Sequence, residues 1–206
     1  MYPVDVRGST LKTTPDCFIG LDGYAREILK GILLAPDEIR EYTVDLARNL
    51  QKEYSGTDFT ALVCANGALP FFTDVFFRPG EKIGPGFTYQ TVNLSSYQGT
   101  ESTGCVQIAG MKPEELRPRI IVVEDIVDTG QSLSKLLECL DGFENVEEVK
   151  VAALLSKPDR RKVDVSIDYL GFIIPDEFVV GYGLDYNGLY RGLQCIGVLK
   201  ESAIAD

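Results

Sequence analysis

Three acidic residues lie within five positions in the stretch IIVVEDIVDTGQSL, residues 120–133. Glu124 and Asp125 are adjacent and directly follow four β-branched residues, which favour a buried strand, and Asp128 opens an Asp-Thr-Gly tripeptide. In open parallel sheets, ligands bind at the carboxyl ends of strands, where the loops enter the next helix. Because buried charge without a purpose is costly, three acids at such an end indicate a functional site.

The residues after Asp128 suit a phosphate group. Thr129, Gly130, Gln131 and Ser132 supply a glycine, two hydroxyl groups and free backbone N–H groups at the start of a predicted helix. Carboxylates beside such a phosphate cradle suit a ligand that carries both hydroxyl groups and phosphate. A phosphorylated sugar has both.

Two simpler interpretations compete with this one. Asp-Thr-Gly is also the active-site tripeptide of aspartic proteases, but those are all-β proteins and usually have Ser or Thr next, where this chain has Gln131. Alternatively, Asp128 could cap the following helix and do nothing else. A lone aspartate would favour the cap, whereas three clustered acids favour a binding site.

The elements around this stretch alternate between strands and helices. Helical periodicity predicts helices over residues 36–54, after Asn66-Gly67 and over 131–140. Short apolar or alternating segments predict strands at 59–64, 88–94, 120–125, 146–155, 167–174 and 178–184, and the polar segment 95–104 predicts a loop. This alternation predicts an α/β protein with a twisted parallel sheet flanked by helices.

Composition narrows the chemistry further. The 206 residues predict one domain, and the chain contains no histidine, which excludes Ser-His-Asp and Cys-His catalysis and histidine-based metal sites. Five scattered cysteines indicate reduced packing residues. A net charge of −11 argues against nucleic acid or an anionic membrane as partner. With no export signal or membrane-length apolar run, we expect a cytoplasmic protein.

Two long motifs carry a resemblance to a known family. VVEDIVDTG is similar to the phosphoribosyl pyrophosphate (PRPP) signature of type I phosphoribosyltransferases, and FVVGYGLDYNGLYRGL, residues 178–193, resembles the purine-binding end of the hypoxanthine-guanine phosphoribosyltransferases. SSYQGTESTG resembles the flexible loop of that family. The resemblance implies the type I fold, with a small hood formed by roughly residues 1–36 and 160–206. It also implies a homodimer or homotetramer.

The implied reaction is transfer of the ribosyl 5-phosphate group from PRPP to N9 of a 6-oxopurine, with Mg²⁺ present and pyrophosphate released. The resemblance implies the following roles. For the donor, Glu124 and Asp125 bind the ribose hydroxyls and, with Asp185, Mg²⁺, the 5-phosphate is held by Thr129, Gly130, Gln131 and Ser132, and Arg191 contacts pyrophosphate. For the acceptor, Asp128 transfers a proton at purine N7, and the base is bound by Lys157, Phe178, Val179 and Asp185. Ser96 and Tyr97 close over the site.

The sequence also departs from the family pattern. After the strand at 59–64, the family has a lysine and two small residues, where this chain reads Ala65-Asn66-Gly67-Ala68. Asn66 and Gly67 then face the phosphates without the usual cation, although an amide still donates hydrogen bonds. Asn93 and Ser95 also stand where many eukaryotic members have basic residues. The expected function is an active purine salvage enzyme, and the alternatives are a weakly active or noncatalytic regulatory paralogue and an RNA-binding regulator.

Overall fold

The protein is described here by a computed structural model that covers residues 3–13, 23–77, 84, 86–96 and 106–204. The strands are β1 (Val4–Asp5), β2 (Leu29–Leu34), β3 (Phe59–Cys64), β4 (Phe87–Ser96), β5 (Val106–Ala109), β6 (Arg119–Val127), β7 (Glu148–Ser156), β8 (Tyr169–Ile173), β9 (Val179–Val180) and β10 (Ile196–Leu199). The helices are α1 (Gly23–Ile28), α2 (Pro36–Glu53), α3 (Leu69–Phe76), α4 (Gln131–Asp141) and α5 (Glu201–Ile204), with short 3₁₀ turns at Pro113–Glu115 and Pro158–Arg160.

Seven strands form a mainly parallel sheet in the order β1-β8-β7-β6-β3-β4-β5. The pairs are parallel except at the edge, where β5 runs antiparallel to β4. All six residues of β3 are buried, as expected for a central strand that is covered on both faces. The predicted α/β fold with a parallel sheet is confirmed.

The covering helices follow their sequence patterns. In α2, apolar residues recur every three or four positions and are buried, and the Glu38 carboxylate accepts the backbone N–H of Ala35 at 2.6 Å to close the first turn. In α4, Leu133, Leu136 and Leu140 face the core. Both helices are therefore held by an apolar face, and α4 carries its N-terminus to the carboxyl end of β6.

A second, antiparallel sheet joins β2, β10 and β9 in that order. Its strands come from residues 1–36 and 160–206, the two regions predicted to form the hood. From the same regions, β1 and β8 instead pair with each other in the large sheet. The division of the chain into core and hood stays a prediction. Within the described residues, no helix is long and apolar enough to cross a membrane.

One predicted strand is much shorter than expected. Of residues 178–184, only Val179 and Val180 form a strand, because the chain then enters the left-handed region at Gly181 (φ 101°), Tyr182 (φ 49°) and Gly183 (φ 99°). Three successive residues with positive φ cannot continue a ladder. They turn the chain back toward α3 instead, where the Tyr182 hydroxyl donates to Asp74 Oδ2 at 2.7 Å.

Candidate active site

The carboxylate pair lies at the carboxyl end of β6. The Oε2 atom of Glu124 is fully enclosed and has no hydrogen-bond partner among the described residues. Burial, together with the neighbouring Asp125 charge, raises the pKa of Glu124, and a contact with Cys64 opposes this. Burial also raises the pKa of Asp125, against the Ile126 N–H that donates to its Oδ1 at 2.9 Å. Two half-buried acids with so few donors among the described residues are suited to a ligand that brings hydroxyl groups or a cation.

Gly67 packs directly on the Asp125 carboxylate of this pair. A Cβ atom at Gly67 would lie 1.7 Å from Asp125 Oδ2, so only glycine fits there. The preceding Asn66 is exposed, and the Ala65–Asn66 peptide is cis. The turn after β3 therefore meets the carboxylates of β6 through backbone, with the Asn66 side chain open to solvent.

The segment after Asp128 forms a small cavity. Gly130 starts α4 with a φ of 80°, and its Cα lies so close to Val163 that an added Cβ would be 2.4 Å from the Val163 carbonyl oxygen. The backbone N–H groups of Lys162 and Val163 donate to the Thr129 carbonyl at 3.0 and 3.1 Å, which fixes the loop.

The cavity beside this loop has a volume of about 100 Å³, sufficient for a phosphate group. It is lined by Glu124, Ile126, Val127, Asp128, Thr129, Gly130, Ser132 and Leu133. Gln131, predicted to share the cradle, is exposed and lies outside this lining, so its backbone N–H at the helix start is the group available to a phosphate.

Asp128 is half-buried and paired with a cation. The Arg160 Nε–H donates to Asp128 Oδ1 at 2.7 Å, and Arg160 Nη1 lies 3.4 Å from Asp176 Oδ1. Lys157 directly follows β7, and its backbone N–H donates to the Val127 carbonyl at 3.0 Å. The ends of β6 and β7 therefore place Asp128 and Lys157 side by side.

Lys157 is buried although it carries a charged group. Its side chain is 9% exposed, and its only ion pair among the described residues is a long one, 4.0 Å to Asp176 Oδ1. Burial lowers the pKa of Lys157, against the attraction of Asp128 and Asp176. An enclosed ammonium group with so little compensation is suited to a carbonyl or anionic group on a ligand.

Asp185 and Arg191 face each other across one turn of chain. Arg191 Nη2 is 2.7 Å from Asp185 Oδ1, and Arg191 Nη1 donates to the Gly183 carbonyl at 2.6 Å. Asp185 Oδ2 accepts the Gly188 N–H at 2.7 Å. Both charges also influence the pKa of Asp125, with Arg191 lowering it and Asp185 raising it, so the pair acts electrostatically on the carboxylates of β6.

Of the remaining predicted residues, Phe178 directly precedes β9, Val179 lies in β9 and Ser96 lies in β4. Phe178 is 40% exposed and makes an edge contact with Tyr186 at 5.3 Å, so its ring is open to a stacking partner. Val179 is buried and pairs with Val198. Ser96 is the last residue of β4, and Tyr97 lies outside the described residues.

Sequence reasoning missed two charged residues of this site, Arg160 and Asp176. A third missed residue, Arg161, donates from Nη2 to Ser156 Oγ at 2.7 Å and to the Val127 carbonyl at 3.2 Å. These bonds link the ends of β6 and β7. The run of three cations at 160–162, shortly after the predicted strand at 146–155, was the signal available.

A parallel sheet with a carboxylate pair, a small cavity and a buried lysine at adjacent strand ends defines an α/β protein whose site is suited to a sugar phosphate. Residues 32–187 match the family model described as the phosphoribosyl transferase domain, and the chain belongs to this family. The predicted resemblance to that family is confirmed.

Individual relatives agree with this assignment. The hypoxanthine-guanine phosphoribosyltransferase of Staphylococcus aureus is 38% identical over 180 residues, covering 86% of this chain and 98% of that protein. The bifunctional protein TilS/HprT of Listeria monocytogenes is also 38% identical over 180 residues, but this chain spans only 27% of its length. A crystal structure of a Staphylococcus aureus hypoxanthine phosphoribosyltransferase superposes with a TM-score of 0.80 at 35% identity, covering 90% of this chain and all of that one.

Proposed function

We propose that the protein transfers the 5-phosphoribosyl group from PRPP to N9 of hypoxanthine or guanine, giving IMP or GMP and pyrophosphate. The observation that carries this proposal is the side-by-side arrangement of Asp128 and Lys157, next to the small cavity at the start of α4. This arrangement suits a base that has a carbonyl group and exchanges a proton, joined to a sugar that bears a phosphate.

The donor half of the site would be built from β6 and the start of α4. Glu124 and Asp125 would accept hydrogen bonds from the ribose hydroxyls, which supply the donors that Glu124 Oε2 lacks. The 5-phosphate would occupy the cavity, held by the hydroxyls of Thr129 and Ser132 and by backbone N–H groups, including that of Gln131. Gly130 allows the tight turn that presents them.

In the acceptor half, purine N9 would bond to ribose C1′ while the bond from C1′ to pyrophosphate breaks and its electron pair leaves with pyrophosphate. Asp128 would take the proton from N7. Lys157 would donate to the exocyclic oxygen, which favours 6-oxopurines over adenine. Phe178 would stack on the base, and backbone groups of Val179 and Asp185 would read its edge.

Pyrophosphate would lie near Asn66, Gly67 and Arg191. Arg191 would have to exchange its contact with Asp185 for phosphate oxygens, to which a guanidinium binds through two bonds. Asn66 is exposed and offers an amide donor in place of a cation. This half of the site therefore relies on Arg191 for protein-derived positive charge.

The donor set also fits Mg²⁺. Within the described part of the chain, no three acidic or sulfur ligands converge on one point, but magnesium is commonly held by one or two carboxylates together with substrate oxygens and water. Glu124 has an enclosed oxygen that no described group contacts by a hydrogen bond, and the Asp185 charge influences Asp125. When bound, Mg²⁺ would offset the charge of pyrophosphate as it leaves.

In this proposal, the segment that contains Ser96 and Tyr97 would close over the site and exclude water from the PRPP donor. A cytoplasmic location and a homodimer or homotetramer stay predictions.

The test of the proposed function is nucleotide formation from PRPP and Mg²⁺ with hypoxanthine, guanine, xanthine and adenine offered separately and followed by absorbance. We expect turnover with hypoxanthine or guanine, and adenine slower by at least about 100-fold, since a buried cation opposes the amine. If no base reacts while GMP still binds by calorimetry, the chain is a noncatalytic binding protein. If adenine reacts best, the role of Lys157 is wrong.

A further inference from the structure

Arg160 bridges two carboxylates that belong to different parts of the fold. Its Nε–H donates to Asp128 at 2.7 Å, and its Nη1 lies 3.4 Å from Asp176, which itself lies 4.0 Å from the Lys157 ammonium group. The charges alternate along this row, from Asp128 through Arg160 and Asp176 to Lys157. Both charged groups that the proposed reaction places on the base are therefore at the ends of one network.

The backbone fixes where the Arg160 side chain starts. Pro158 to Arg160 form a single 3₁₀ turn directly after β7, and the Arg160 N–H donates to the Lys157 carbonyl at 3.2 Å. Lys157 is tied in turn to the Val127 carbonyl, next to Asp128. Because this short turn is anchored to the end of β6, the guanidinium can meet Asp128 without ordering a long loop.

The other nearby cations have different partners. Arg161 donates to Ser156 and to the Val127 carbonyl, and Lys157 lies toward Asp176, so both act on Asp128 only through space. Among the described side chains that carry a positive charge, Arg160 alone forms an ion pair with Asp128.

We propose that Arg160 is a positioning residue for Asp128 in the phosphoribosyl transfer. This inference rests on the proposed function, because it assigns a role toward the residue that handles the purine proton. Arg160 occupies Oδ1, which leaves Oδ2 of Asp128 to face the base, and Asp176 keeps the guanidinium from swinging away. Arg160 also offsets the Asp128 charge, which would otherwise repel a phosphate in the adjacent cavity.

A set of three variants tests this role by steady-state kinetics with PRPP, Mg²⁺ and hypoxanthine. In Arg160→Gln we expect kcat to fall about tenfold or more while KM for hypoxanthine changes less than about threefold, since orientation matters most in the transition state. Arg160→Lys keeps the charge without the planar fork, and we expect its kcat to exceed that of Arg160→Gln at least about threefold. The control is Arg119→Gln, which breaks an exposed ion pair with Glu148 at the opposite end of β6 and should retain wild-type kinetics.

Two kinetic outcomes would overturn the inference. One is an Arg160→Gln variant with wild-type kcat. The other is an Arg160→Lys variant no faster than Arg160→Gln, which would mean that the side chain serves only the structure of the turn.

An NMR measurement separates failure of this inference from failure of the proposed function. The Arg160 Nε–H resonance, identified by its loss in Arg160→Gln, should shift clearly in Asp128→Asn and stay in place in Arg119→Gln. If the enzyme is active but this resonance does not shift in Asp128→Asn, the inference is wrong and the proposed function stands. If the resonance shifts but wild-type protein converts no base, the contact exists, and both the function and the role assigned to Arg160 fall.

Discussion

Gly67 and Asp125 touch so closely that the absence of a side chain at position 67 determines where the Asp125 carboxylate can lie. A methyl group there would come within 1.7 Å of Oδ2 and 2.6 Å of Cγ. The neighbouring Gly183 packs on the same turn, since its own added Cβ would lie 2.0 Å from the Gly67 carbonyl oxygen. The turn after β3 is therefore the point where the carboxylates of β6 and the loop that carries Asp185 meet.

Gly67→Ala should displace the Asp125 carboxylate, because Asp125 is short and enclosed and can avoid the methyl group only by leaving its position. We expect kcat/KM for PRPP to fall by about 100-fold or more and stability to fall by about 1–3 kcal/mol. Steady-state kinetics and urea unfolding measure the two effects. Gly8→Ala is the control, since an added Cβ there meets no atom within 4 Å. A Gly67→Ala variant that binds PRPP normally would remove Asp125 from the donor site.

Glu124→Gln should change how stability depends on pH. The pKa of Glu124 rises from 4.5 to about 8 on folding, so the native state holds a proton that the unfolded chain releases. The stability that the folded protein gains from binding this proton is therefore complete below pH 4.5 and is lost as the pH rises toward about 8. Glutamine does not titrate, so the stability of the variant relative to wild type should increase steadily from pH 4.5 to pH 8, the remaining slope belonging to Asp125.

Urea unfolding from pH 4.5 to 9, with EDTA present to remove divalent ions, measures this difference. Glu114→Gln removes an exposed carboxyl group and should run parallel to wild type across the range. Identical slopes for wild type and Glu124→Gln would show that Glu124 is already ionised in the folded protein at neutral pH.

Asp128→Asn keeps the shape of the side chain but cannot accept a proton. We expect kcat to fall by about 100-fold to 1,000-fold, while GMP affinity measured by calorimetry changes less than about fivefold. Asp141→Asn, at the far end of α4, is the matched control. An unchanged turnover rate in Asp128→Asn would exclude the residue from the mechanism.

The sequence predicted those parts of the fold that local patterns specify. The strand β3 was predicted at its observed bounds and α2 within one residue, because a buried strand and an amphipathic helix each have a clear period. The prediction of a strand over 178–184 was wrong after Val180. The positive φ values that follow accompany packing against α3, and a run of apolar residues does not reveal them.

The site divides in the same way. Glu124, Asp125 and Asp128 could be found because they are neighbours in sequence at the end of a predicted strand. The contact of Gly67 with Asp125 and that of Arg160 with Asp128 join residues that are far apart in the chain, so their distances depend on strand order. A pattern of residue types does not contain that order.

Lys157→Met should increase the stability of the protein and lower its activity. Burial lowers the pKa of Lys157 below its ordinary value of 10.5, so the unfolded chain binds this proton more tightly than the folded one does. Stability therefore rises as the pH climbs toward 10.5, and at neutral pH the charged lysine opposes folding. Methionine fills a similar volume without charge, so we expect stability at pH 7 to increase by about 1 kcal/mol in urea unfolding.

The same change should lower kcat/KM for hypoxanthine by about 100-fold without improving adenine, because the donor to the exocyclic oxygen is lost and no acceptor for an amine is gained. Lys52→Met, on the exposed face of α2, removes a solvated charge and should leave both stability and turnover near wild type. Loss of stability in Lys157→Met would mean that the pairing of Lys157 with Asp176 outweighs the burial of its charge. Lysine at this position would then serve the fold as well as the base.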